Sequence, residues 1–112
     1  MTTEEKTRKI VSVLNRRKAE DVQVRRVGDL TIVADYFVLA TGTSNTQIKS
    51  LANEVEYELE KDGVHGRMEG KTSDWILLDY GDVICHFFLP EAREHYNLER
   101  LWADAEEVQF GE

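Results

Sequence analysis

The chain has 112 residues, 41% hydrophobic and 32% charged, with one Pro, seven Gly and a formal net charge of −8; that length builds one core, and the composition excludes a disordered or fibrous chain. No apolar run approaches the roughly 20 residues of a membrane span, and the Met-Thr-Thr-Glu-Glu-Lys start has neither the apolar stretch of a secretory signal nor, with Glu4 and Glu5, the composition of an organelle transit peptide. The lone Cys85 can form no intrachain disulfide, so a reducing cytoplasm is the expected location.

Thr2 and Glu5 have the spacing of a capping box, in which a hydroxyl and a carboxylate satisfy the orphan amides of a helix start. Thr7, Ile10, Val11 and Leu14 recur at i, i+3, i+4 and i+7, predicting a helix from about Thr3 to Lys18. Its last turn, Arg16-Arg17-Lys18, sets cations at the negative end of the dipole. Val22, Val24 and Arg26 alternate with Gln23, Arg25 and Val27, the pattern of a partly exposed strand ending near Gly28-Asp29. Ala34 to Ala40 is continuously apolar after Asp35 and suits a central strand covered on both faces. Thr41 to Gln47 then reads as a strand-to-helix turn, with Ser44 and Gln47 spaced as a second capping box. Ile48, Leu51, Ala52, Val55 and Leu59 form the apolar stripe of the next helix, which Asp62-Gly63 closes. A short strand near Val64–Met68 is predicted in the loop that follows.

Asp74 to Leu89 holds two apolar runs around Gly81-Asp82, a pair suited to the type II′ turn of a two-residue hairpin. That turn sets Tyr80 opposite Val83, and the register follows outward. One face then carries Ile76, Leu78, Tyr80, Val83, Cys85 and Phe87, the natural core side. The other carries Trp75, Leu77, Asp79, Ile84, His86 and Phe88, a mixture foreign both to open solvent and to a sealed core. Either one of the protein's own helices covers this face, or part of it binds a protein, with aromatic anchors and polar groups that fix orientation. Pro90 stops the strand, Glu91–Tyr96 and Leu98–Ala105 read as short helices, and the acidic stretch 104–112 reads as a fraying tail. With no internal repeat or linker, the element order predicts a single domain over 1–112. Its class is α/β (α+β), one mixed sheet of about five strands flanked by helices.

Residues 1–26 hold eight Lys/Arg against four acids, net +4, while the other 86 hold six bases against eighteen acids, net −12. Nucleic acid is gripped by concentrated Lys/Arg, so most of this chain would be repelled, and the basic helix reads as a solvated face. The acidic remainder suits a basic protein partner. No catalytic constellation assembles. Asp74, Asp79 and Asp82 do not converge as metal-binding carboxylates should. Adjacent Cys85 and His86 face opposite ways on a strand and cannot pair. His65, His86 and His95 lack zinc-ligand spacing. Ser44 after Thr41-Gly42-Thr43 lacks the glycines and Lys of a phosphate loop, and capping explains it.

Three segments together are distinctive: Asp35-Tyr36-Phe37-Val38-Leu39-Ala40-Thr41-Gly42-Thr43-Ser44; Asp74-Trp75-Ile76-Leu77-Leu78-Asp79-Tyr80-Gly81-Asp82-Val83-Ile84-Cys85-His86-Phe87; and Arg93-Glu94-His95-Tyr96-Asn97-Leu98-Glu99-Arg100-Leu101-Trp102. In order and spacing they closely resemble the ribosomal silencing factor (Iojap-like) family, over about residues 3–103. The resemblance implies a nucleotidyltransferase-like core without its catalysis, no cofactor, and a homodimer when free. It implies binding to the large ribosomal subunit through a basic intersubunit-face protein, the fourteenth of that subunit. Docking of the small subunit is thereby blocked and translation repressed under nutrient limitation. Carried over by motif, the expected partner-facing set is Trp75, Asp79, Tyr80, Gly81, Asp82 and His86. Tyr96, Leu98, Leu101 and Trp102 are expected in packing or dimer contacts. The competing expectations are a nucleotidyltransferase-like enzyme, by fold analogy, and an acidic adaptor for another basic protein.

Overall fold

Both halves of the first capping box form at the start of α1 (Thr3–Arg16): the Glu5 amide donates to the Thr2 hydroxyl at 3.1 Å and the Thr2 amide to the Glu5 carboxylate at 2.8 Å. The computed structural model describes residues 1–28, 34–72, 74–95 and 104–109. α1 ends before Lys18 because Lys18, at φ 61, takes the left-handed position of a helix terminus. Its amide donates to the Asn15 carbonyl and that of Ala19 to Leu14. β1 (Glu20–Arg26) follows, bulged between Glu20 and Gln23 with Asp21 at φ 50.

The remaining elements are β2 (Tyr36–Thr41), α2 (Asn45–Glu60), β3 (Arg67–Thr72), β4 (Trp75–Asp79), β5 (Val83–Phe88), α3 (Pro90–His95) and β6 (Glu106–Glu107). At the start of α2 the Gln47 amide donates to Ser44 Oγ at 3.1 Å, so Ser44 is a cap. The Gln47 side chain accepts from the Thr43 hydroxyl at 2.8 Å, so the reciprocal half of that box goes to Thr43. Gly63, at φ 73, ends the helix as predicted, with the Val64 amide bonded to Leu59 and the Gly63 amide to Glu60. Pro90 both stops β5 and opens α3, where its missing N–H costs nothing.

The class is mixed α+β, as the sequence implies, but among the described residues the sheet has six strands rather than about five, in the order β3-β4-β5-β2-β1-β6. β2 and β5 are parallel and every other neighbouring pair is antiparallel. The sixth strand lies within the stretch expected to fray. Glu106 and Glu107 pair with Arg26 and Arg25 of β1, an opposite-charge register that favours the ladder. Val108 continues it by donating its amide to the Val24 carbonyl at 2.8 Å.

One face of the sheet is covered by α1 and α2. Ile10, Val13, Leu14, Ile48, Val55 and Leu59 meet Val38, Leu78, Val83, Cys85 and Phe87 there in the main core. Gly42 permits the close entry of α2, since a Cβ at that position would lie 2.7 Å from Ile48 Cγ2. The cations of α1 answer acids elsewhere in the fold: Lys6 pairs with Asp82, Lys9 with Asp62, Arg16 with Glu58 and Arg17 with Glu54. The basic helix is thus an internal electrostatic partner of α2 and the hairpin, not only the solvated face that its composition suggests.

Candidate functional site

The β4–β5 hairpin has the predicted register. Asp79 pairs with Ile84, Leu77 with His86 and Trp75 with Phe88, and the Tyr80 amide donates to the Val83 carbonyl at 2.9 Å. Gly81 has φ 87 and Asp82 does not share its positive φ, the sign pattern of a type II′ turn. The side chains therefore divide as alternation demands. Ile76, Leu78, Val83, Cys85 and Phe87 enter the main core, and burial pushes the Cys85 thiol up, well above the usual thiol range. Ile84 and Phe88 enter a second cluster on the opposite face, with Val27, Leu39, Ala92 and Ala105.

That opposite face is closed at one end and open at the other. α3 covers Phe88: Ala92 packs beside it, and the Arg93 guanidinium lies 4.9 Å from its ring while also pairing with Asp21 of the β1 bulge. Toward β3, Trp75, Leu77 and Asp79 stay half-buried, as does Phe37 of β2 on the other side of His86, and the flanking Arg67 and Glu69 are exposed. The result is an aromatic and aliphatic strip edged by charge. One of the protein's own helices thus covers part of this face and leaves the rest half-buried.

His86 lies at the centre of the strip and is only 4% exposed. Its ring meets Phe37 edge-on at 4.6 Å and stacks on Trp75 at 6.2 Å, and its Nδ1 accepts the Trp75 indole N–H at 3.3 Å. Burial pushes its pKa down to about 3, so the imidazole is neutral and acts as an acceptor that aims the indole. His86 positions Trp75 and presents no charge of its own.

The other expected partner-facing residues do not share one surface. Tyr80 is on the α1/α2 side, its ring against Gly66, where an added Cβ would lie 2.7 Å from Tyr80 Cε1. Its hydroxyl is buried without a hydrogen-bond partner among the described residues, and burial pushes the phenol well up. Asp79 is half-buried on the Trp75 side, with one oxygen accepting the Gly81 amide at 2.7 Å. Asp82 is committed within the chain, accepting the Thr3 hydroxyl at 2.6 Å and Lys6 Nζ at 2.8 Å. Burial pushes the Asp82 carboxyl up, but the hydrogen bonds from Lys6 and Thr3 and the Lys6 charge outweigh it and leave the pKa below the ordinary value. Gly81 sits exposed at the tip. Tyr96, Leu98, Leu101 and Trp102 lie outside the described residues, as does Asp29. Among the described residues no three His, Cys, Asp or Glu side chains could hold a metal ion, and no helix is long and apolar enough to cross a membrane.

Asp82→Ala is expected to lower stability by about 1–2 kcal/mol, the usual scale for charge-assisted hydrogen bonds that are partly screened by solvent. It should also speed amide exchange in the first turn of α1. An unchanged melt together with unchanged exchange at Lys6 and Thr7 would show that the Thr3–Lys6–Asp82 cluster holds nothing in place.

Sequence reasoning missed Phe37. The strand Tyr36-Phe37-Val38-Leu39-Ala40 is apolar at every position, so no alternation told which of its side chains join Trp75 and His86.

Comparisons with known proteins point one way. The profile of the family described as "Ribosomal silencing factor during starvation" matches residues 1–112. The protein named ribosomal silencing factor RsfS of Halalkalibacterium halodurans is 33% identical, over 98% of this chain and 96% of that protein. A mouse protein named mitochondrial assembly of ribosomal large subunit protein 1 is 33% identical, over 83% of this chain and 43% of its own length. A crystal structure of a Chromobacterium violaceum protein superimposes with a TM-score of 0.86 at 33% identity, covering 100% of this chain and 94% of the other.

Proposed function

The chain belongs to the ribosomal silencing factor family, and from that membership we propose that it binds the large ribosomal subunit and by its bulk keeps the small subunit from joining. Translation is thereby repressed when nutrients are scarce. The partner on the large subunit is its fourteenth protein, a basic component of the intersubunit face. The match of the family over all 112 residues carries this reading. The half-buried strip at Trp75, Leu77 and Asp79 supports it, because apolar anchors beside a carboxylate suit a cationic protein surface.

Within the contact set, Trp75 supplies buried apolar area and Asp79 faces cations of the partner. Gly81 and Asp82 shape the tip that slides against it, Tyr80 braces the hairpin from behind, and His86 orients the indole. Activity needs no cofactor and no turnover. The whole of 1–112 acts as one domain in the cytoplasm, and a homodimer forms when the protein is free, with Tyr96, Leu98, Leu101 and Trp102 at packing or dimer contacts. The direct test mixes the purified chain with separated subunits and follows joining by sucrose-gradient sedimentation. Full particles should decline in proportion to occupied large subunits, without nucleotide hydrolysis. Normal joining at saturating protein would end the proposal.

A further inference from the structure

β3 is the outermost strand of the sheet, and among the described residues no strand lies beyond it. In an antiparallel ladder, alternate residues of such a strand turn their N–H and C=O groups outward. A groove separates this strand from α2, walled by Asn45, Lys49 and Asn53 and floored by Met68, Gly70 and Ile76. Gly70 pairs with Ile76, and a Cβ built on Gly70 meets nothing within 4 Å, so the floor has room for an added side chain there. The chain carries 22 Asp and Glu, yet none lines this groove, and Lys49 gives it a positive end. Acids stand beyond its other end, outside the lining. β3 starts after the turn that ends α2, so its first residues lie by the last turns of that helix, where Glu56 and Glu60 act on the Tyr80 ring.

We propose that this groove binds an extended peptide segment of a partner protein by strand addition antiparallel to β3. An apolar side chain seats over Gly70, an acidic one two residues earlier lies beside Lys49, and a basic one two residues later points toward Glu56 and Glu60. Backbone pairing gives the affinity and the three alternate side chains give the selectivity. A second copy pairing edge to edge is not the occupant, because the groove-side residues of β3, Met68 and Gly70, are uncharged and cannot supply the acid and the base. The groove is on the α2 side of the sheet, opposite the Trp75 strip, so its occupancy and ribosome binding succeed or fail separately.

The test is a titration of the isotopically labelled chain with the blocked peptide acetyl-Thr-Glu-Thr-Val-Thr-Lys-Thr-amide, read from amide shifts. Saturable shifts are expected along Arg67–Thr72 and at Lys49 and Asn53. A peptide with Glu and Lys exchanged should bind about 10-fold more weakly, the scale of one misplaced charge pair. Gly70→Val should weaken binding about fivefold or more by filling the gap. Lys49→Glu, on an exposed helix position, should invert the preference between the two peptides. Equal binding of the two peptides, no saturable shift, shifts confined to other surfaces, or dimerisation through β3 would each overturn the proposal.

Discussion

Trp75→Ala combined with Asp79→Lys is expected to weaken binding to isolated large subunits by about 100-fold or more, because it removes an aromatic anchor and reverses the charge that faces a cationic partner. Both side chains are half-buried at the open end of their face, so the fold should survive their loss. Trp75 is peripheral to the second cluster, and the Asp79 carboxylate accepts a local hydrogen bond from the Gly81 amide. Co-sedimentation measures the affinity, and a thermal melt measures the fold. Tyr80→Ala is the informative contrast. Its ring fills space against Gly66 on the other side of the sheet, so its loss should lower the melt more than it lowers binding to large subunits by the folded fraction. Undiminished co-sedimentation of a folded Trp75/Asp79 variant would remove this face as the docking surface.

The second large effect is a loss of stability in mild acid. His86 has a folded pKa near 3 against 6.5 for the ordinary imidazole, because burial disfavours the charged ring. Between those values the unfolded chain takes up a proton that the folded chain refuses, so stability rises with pH. The contribution is complete above about pH 7 and drains away as pH falls toward 3. Each pH unit within that window removes about 1.4 kcal/mol, and the fall from pH 7.5 to 4.5 removes about 2.5 kcal/mol. Asp82, Glu5 and Glu58, whose carboxyls are held below their ordinary values of 3.8, 4.5 and 4.5, add to the loss only below about pH 5, so the slope between about pH 7 and 5 belongs to His86. Denaturant melts across the window measure the slope. His86→Gln keeps an acceptor for the Trp75 indole and should flatten it. A variant with the wild-type slope would show that His86 is not the titrating group.

Much of this architecture is readable from the chain because local chemistry and tertiary structure agree. Thr2 with Glu5, Ser44, Gly63 and Gly81 each do what their residue types favour, and the hairpin register follows from one turn. The failures have physical sources. β6 is two acidic residues with no strand pattern of their own, and it exists because Arg25 and Arg26 face them across the ladder. Lys18 and Asp21 hold left-handed conformations that their side chains do not announce. At the site, alternation sorted the hairpin residues onto their faces, but it could not say that Asp82 is spent on Lys6 and Thr3, a contact between residues 76 and 79 positions apart. Nor could it say that α3 covers Phe88 while leaving Trp75 partly open.

The parallel junction at the middle of the sheet has a consequence for synthesis. Tyr36 of β2 waits for Val83 of β5, and Thr41 waits for Phe88. While the intervening stretch is polymerised at about 5–20 residues per second, this apolar strand has a bare flank for seconds. A nascent chain of this protein is therefore a natural client for chaperones that shield sticky segments, and slowing translation between codons 42 and 82 should raise its aggregation.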